Sequence, residues 1–199
     1  MKYALAGLAL LLLHAAASLR IPVGAASDDA LLILLSQAIL RGGYDVPNAG
    51  VTWMPAQLPG LPVLLMGPVS LVSPHWSSLR VPMLLFSFLL VFFFWRLSKK
   101  ILPPPWAAGA ALLVGLNRVL IGHAGAILPD IPFAALTLAL FDGLASGAPI
   151  ALLSAGAAFA CLLRPHGILL TAALAWGIAG RAGGRRAAAF ACGALGPWA

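Results

Sequence analysis

The sequence contains no glutamate, and its 199 residues carry only five acidic side chains. Charged residues of both signs make up 9% of the chain, against about 25% in an average soluble domain. With 62% hydrophobic residues and a mean hydropathy of +1.01, too few polar side chains remain to cover a water-facing surface. Cysteine is also scarce. Cys161 and Cys192 both fall in apolar runs, where cysteine acts as a small hydrophobe, and two of them define no disulfide framework. There is no P-loop, no glycine-rich dinucleotide fingerprint and no zinc-protease motif. The apolar runs are continuous rather than alternating, which argues against an outer-membrane barrel. The class these absences leave is an all-α, polytopic transmembrane helical bundle.

Apolar runs mark about six to seven spans, near 3–19, 79–97, 106–122, 127–145, 149–163 and 166–180, with another starting near 187. A full span needs about 20 residues. The last run stops at Ala199, so the sequence reads as the N-terminal transmembrane portion (1–199) of a larger or truncated protein. The first run also imitates a signal peptide, and an uncleaved span is the preferred reading. Residues 30–40 are apolar but short, which suggests an interfacial helix. Residues 58–73 carry Pro59, Pro62 and Pro68, a density expected to break a helix. Together 20–78 read as an outer loop with interfacial helices.

The net charge of +7 is read as topology rather than nucleic-acid binding. If 58–73 does not cross, Lys2, Arg96, Lys99, Lys100, Arg181, Arg185 and Arg186 all lie inside. Asp28, Asp29, Asp45 and Asp130 then lie outside. If it crosses, "RLSKK" moves outside, against the positive-inside rule.

Two of the five acids are adjacent, in "SDDALLILLSQAILRGGYDVPNAG". Ser27 can cap a helix there, and aspartates in its first turn face the positive end of the helix dipole. One aspartate would suffice for that. Two carboxylates at a membrane surface repel each other and take up protons more readily, which suits a base. Both readings stand at this level. Asp130 in "GHAGAILPDIPF" is either an N-cap or a ligand, and His123 seven residues earlier could share a metal with it. Arg164 and His166 in "CLLRPHGILL" sit at a turn on the same outer face. Arg164 can snorkel to the headgroups or hold a phosphate by paired hydrogen bonds. Arg118 has the same two readings, and Asp142 reads as an interfacial or helix-packing residue.

The order of these motifs resembles the GT-C superfamily of integral-membrane glycosyltransferases. That family includes dolichyl-phosphate-mannose–protein mannosyltransferases and bacterial aminoarabinose transferases. There, an acidic pair follows the first span. An amphipathic helix then ends in a G-x-Y/W turn and leads to a proline-rich segment, as in "DDALLILLSQAILRGGYDVP" and "MPAQLPGLPVLLMGPVSLV" here. A later acid matches "ILPDIPF", and an R/K-P-x-G turn matches "LLRPHGILL". The resemblance covers about residues 1–180. It departs at Asp29, where the family usually has glutamate, and at Leu32, where an aromatic is common.

The resemblance implies a polyprenyl-phosphate-sugar donor and a lipid, glycan or protein acceptor, with the site on the periplasmic face of a bacterial inner membrane. Asp28 would be the general base and Asp29 its positioning partner. Arg164, with His166 nearby, would hold the lipid phosphate. Asp130 would bind the acceptor or, with His123, a divalent metal. Membrane lipids are the other expected partners and nucleic acid is not one. The competing readings are a transporter or flippase-type binder of a lipid-linked substrate, and an inactive truncated fragment.

Overall fold

The computed structural model of the chain describes residues 2–20, 27–44, 58–72 and 76–196, with backbone alone at 2–6, 27–28, 72 and 76–77. Its elements are α1 (Lys2–Ser18), α2 (Ser27–Leu40), α3 (Gly60–Val72), a 3₁₀ turn (Trp76–Leu79), α4 (Arg80–Ser98) and α5 (Pro104–Gly115). They continue with α6 (Arg118–His123), α7 (Asp130–Ala145), α8 (Ile150–Leu163), α9 (Gly167–Ala182) and α10 (Gly184–Leu195). The fold is all-helical, with no strand among the described residues.

Proline sets many of the boundaries. It lacks an N–H and fixes φ, so it fits the first turn of a helix and disfavours helix in the residue before it. Thus α5 starts at Pro104 behind Pro103, α7 follows Pro129, and α8 follows Pro149. The end of α2 uses glycine instead. Gly42 has φ of 83°, and the amides of Gly42 and Gly43 donate to the carbonyls of Ile39 and Ala38. A side chain at that φ is strained, which is why glycine closes this helix.

Two expectations are corrected. The run 106–122 is not one helix. Asn117 breaks it, its Oδ1 accepting from the amides of Val119 and Leu120 at 2.9 and 3.3 Å, which starts α6 afresh. Conversely, the prolines of 58–73 do not prevent α3. Pro62 sits in its first turn, where no amide is needed, and Pro68 lies inside the helix. An interior proline costs about 3 kcal/mol or more. Leu61, Leu65 and Val69, each at most 1% exposed, offset it at about 1.5–3 kcal/mol apiece.

Helices α7, α8 and α9 run alternately up and down, and α10 packs against α8 and α9. Leu140, Leu153, Ala157, Leu174, Ile178 and Phe190 form their shared core. A second core of Leu32, Leu61, Leu65, Leu79, Met83, Ile127 and Leu163 joins α2, α3, the 3₁₀ turn, the start of α4, the loop before α7 and the end of α8. Phe133 and Leu136 touch both cores. Helix α3 does not run along the bundle. Its first residue, Gly60, abuts the backbone of Leu162 and Leu163, and Leu79, soon after its end, shares a core with Leu163. Both ends of α3 therefore stay at one end of the bundle.

That end carries the N-terminus of α7. At the opposite end Asp142 is buried and bridges Arg96 at 3.0 Å and Lys100 at 2.9 Å, tying α4 to α7. Lys100 also donates to Ser146 Oγ, and Arg181 donates to the Leu144 carbonyl. A buried carboxylate is stable only with partners, so the packing role read for Asp142 takes the form of a two-cation clasp. In α1, Ser18 lies against Gly125 and His14 Nε2 meets the Gly115 carbonyl at 2.8 Å. The first residue of α1, Lys2, thus lies toward the Asp142 end.

Among the described residues, one helix, α4, is long and apolar enough by itself to cross a membrane. The apolar segments Gly7–Ser18, Asp29–Leu40, Gly60–Leu71, Ile150–Leu163 and Gly167–Ala182 are shorter.

Candidate functional site

Of the residues singled out in the sequence, Asp130 and Arg164 meet in the structure, whereas Asp142 lies at the opposite end of the bundle. Asp29 is in the first turn of α2, one turn before Leu32. Asp130 opens α7, three residues after Ile127. Arg164 follows Leu163 directly. Leu32, Ile127 and Leu163 all belong to the second core, so each of the three polar residues adjoins that core in sequence. Asp29 is 1% exposed, which corrects the picture of two carboxylates both facing a membrane surface. The backbone of Asp28 lies in the first turn of α2, and its side chain lies outside the described residues. Asp45 is outside them as well.

Arg164 is placed by its local sequence. Pro165 pushes the preceding residue out of the helical region, and Arg164 is extended, with φ of −149° and ψ of 144°. Its chain turns there from α8 into α9. Gly167 makes the turn tight, because a Cβ on it would lie 2.4 Å from the Cys161 amide nitrogen. The R-P-x-G pattern therefore has a geometric cause. Arg164 Nη2 donates to Asp130 Oδ2 at 2.5 Å. The two side chains are 35% and 59% exposed, so the pair adds about 0–1 kcal/mol at most to stability. What it does is aim the guanidinium. Asp130 is the first helical residue of α7 rather than its cap.

No family model matches this chain, and no curated protein or solved structure does. The site is thus read from its own chemistry. Arg164 has five N–H donors in a planar fork. Its Nε is buried and meets no acceptor among the described residues. An unmet buried donor costs about 1–3 kcal/mol, and an anionic group would relieve it.

His166 is exposed in the same turn, next to Pro165. His123 is exposed at the end of α6, with Nδ1 turned back to the Val119 carbonyl at 2.8 Å. Among the described residues no three His, Cys, Asp or Glu side chains are grouped to hold a metal. Asp130 Oδ2 is engaged by Arg164. Arg118 is exposed at the start of α6.

Sequence reasoning missed Arg80. It is half-buried at the first residue of α4, adjoining Leu79 of the second core. The available signal was charge: in a topology that keeps basic residues inside, Arg80 stands at the outer end of its span.

Proposed function

We propose that the chain is a polytopic membrane bundle that transfers a sugar from a polyprenyl-phosphate donor to an acceptor hydroxyl at the outer, periplasmic face of a bacterial inner membrane. The observation that carries this reading is Arg164, held by Asp130, with a buried Nε that meets no acceptor among the described residues. Membrane placement is supported by apolar surface. Only 17% of the α4 window is buried inside the bundle. Leu71, Leu113 and Trp176 are 85%, 75% and 84% exposed. Patches of that kind are costly in water and favourable in lipid. Charge supports the orientation, since the Asp142 end holds Lys2, Arg96, Lys99, Lys100, Arg181, Arg185 and Arg186.

In the proposed reaction the acceptor hydroxyl gives its proton to Asp28. Its oxygen forms a bond to the anomeric carbon from the face opposite the phosphate. The bond from that carbon to the phosphate oxygen breaks, and the electron pair leaves with the polyprenyl phosphate. Arg164 meets the charge that develops on the phosphate. Such preorganised stabilisation is often the largest single contribution to catalysis. Asp29, being buried, positions the start of α2, and Asp130 fixes Arg164.

Arg164→Ala in the full-length protein is expected to reduce transfer by about 10²-fold, the usual effect of removing one such donor. Arg164→Lys should recover part of the loss, because charge survives and the planar fork does not. Initial rates with a polyprenyl-phosphate sugar in detergent measure both. Unchanged rates in both variants would overturn the phosphate-binding role.

Orientation has its own test. In a cysteine-free background, Ser78→Cys in the exposed part of the 3₁₀ turn should react with a membrane-impermeant thiol reagent from the periplasmic side. Ala145→Cys, exposed at the end of α7, should react only after the membrane is permeabilised. The reverse pattern would overturn the orientation.

The break between α5 and α6 at Asn117 favours one second reading. Discontinuous helices are a feature of transporters, and a lipid-linked substrate could be bound at Arg164 without bond cleavage. Donor binding with no product sugar released would select that reading.

A further inference from the structure

The side of the bundle away from α8 has an apolar groove of about 510 Å³ between α1, α4 and α5. Gly7, Leu11, Phe88, Phe92, Trp95 and Ala111 line it. It runs from the Asp142 end toward the middle of the bundle, where a small continuation closes on His14 and Ser87. No residue of the groove belongs to the Asp130–Arg164 neighbourhood.

Its mouth is cationic. Lys99 Nζ stands 4.6 Å from the centroid of the Trp95 ring, and the Arg96 guanidinium stands 5.8 Å from the Phe92 ring. Both rings line the groove. The clasp on Asp142 engages Arg96 and Lys100, whereas Lys99 has no carboxylate partner among the described residues. Lys99 is exposed. An exposed ammonium held over an aromatic ring, at the opening of an apolar slot, matches a phosphate joined to an acyl chain.

We infer that this groove is a site for one anionic glycerophospholipid of the leaflet at the Asp142 end, with an acyl chain along Phe88 and Phe92 and the phosphate at Lys99. The surplus of basic residues at that end favours an anionic lipid over a zwitterionic one. This inference rests on the membrane placement proposed above and not on the transferase reaction.

The test uses full-length protein in detergent, mixed with equal amounts of phosphatidylglycerol and phosphatidylcholine of the same chain length. Native mass spectrometry reads the lipid retained. The expected result is one phosphatidylglycerol held about fivefold over phosphatidylcholine, the preference that one basic residue near a membrane surface supplies. Lys99→Gln should bring the ratio to about one while lipid is still retained. Gly7→Leu should abolish retention of both lipids. A Cβ at Gly7 meets nothing within 4 Å, so the new side chain enters the groove without displacing the backbone. Equal retention of the two lipids by the unaltered protein, or undiminished retention by Gly7→Leu, would overturn the inference. So would a dimer that carries no lipid. Alkaline carbonate separates this from the larger reading: protein stripped from vesicles means the membrane placement fails, whereas protein that stays and holds no lipid means the groove site alone fails.

Discussion

Asp28→Asn in the full-length protein is expected to fold normally and to lose about 10²–10⁴-fold in sugar transfer, the contribution of a positioned base. The residue lies in the first turn of α2, between Ser27 and the buried Asp29. Asparagine serves a helix start as well as aspartate does, so a capping role predicts full activity. Asparagine cannot accept the acceptor's proton, so a base predicts near-complete loss. Asp29→Asn should act differently. Asp29 is 1% exposed, so its replacement should lower thermal stability and reduce turnover less than Asp28→Asn does. Transfer rates and melting curves on both variants separate the two roles. Near-normal turnover by Asp28→Asn would remove it from the mechanism and make Asp29 or Asp130 the next candidate base.

Gly167→Ala is expected to lower stability by about 1–3 kcal/mol, the usual range for overpacking. The new methyl carbon would lie 2.4 Å from the nitrogen and 2.5 Å from the Cα of Cys161, and 2.6 Å from the carbonyl carbon of Ala160. All three are backbone atoms of α8, so no side chain can swing away, and α8 and α9 must separate. For a chain of this size each kcal/mol shifts the melting temperature by about 2–4 °C. Gly180→Ala in the same helix is the control. Nothing lies within 4 Å of its Cβ, and alanine is the better helix former by about 1 kcal/mol, so this variant should melt no lower than the parent. Because Arg164 stands in the same tight turn, Gly167→Ala should also reduce transfer. Equal melting temperatures for the parent and Gly167→Ala would mean that the turn is looser than the close contacts imply.

Helix positions were legible as apolar runs, and in the structure proline stands at several of their ends. Pro103, Pro129, Pro149 and Pro165 stand within a residue or two of helix ends. The meeting of Asp130 with Arg164 was legible as a shared face but not as an ion pair. The break at Asn117 was hidden inside a continuous apolar run, since a single cap outweighs hydropathy only at its own position. The helix through Pro68 was hidden for the opposite reason, because Leu61, Leu65 and Val69 act through partners remote in sequence. The clasp of Asp142 by Arg96 and Lys100 joins residues more than forty positions apart. A helix that is apolar on every side does not announce which face it will bury, so α4 gave no sign that it would lie along α7.

The hairpin of α7 and α8 has a mechanical consequence. Its helices have 16 and 14 residues, or about 24 and 21 Å of rise at 1.5 Å per residue. The hydrocarbon layer of a bilayer is about 30 Å thick. In the proposed setting the surrounding lipid must thin to meet this hairpin, at a fraction of a kcal/mol per ångström of mismatch. Thinning lowers the local membrane surface toward Arg164, where α8 ends. A long-chain phosphate diffusing in that leaflet would thus ride down a dimple to the guanidinium, so the shortness of two helices would itself help deliver the donor.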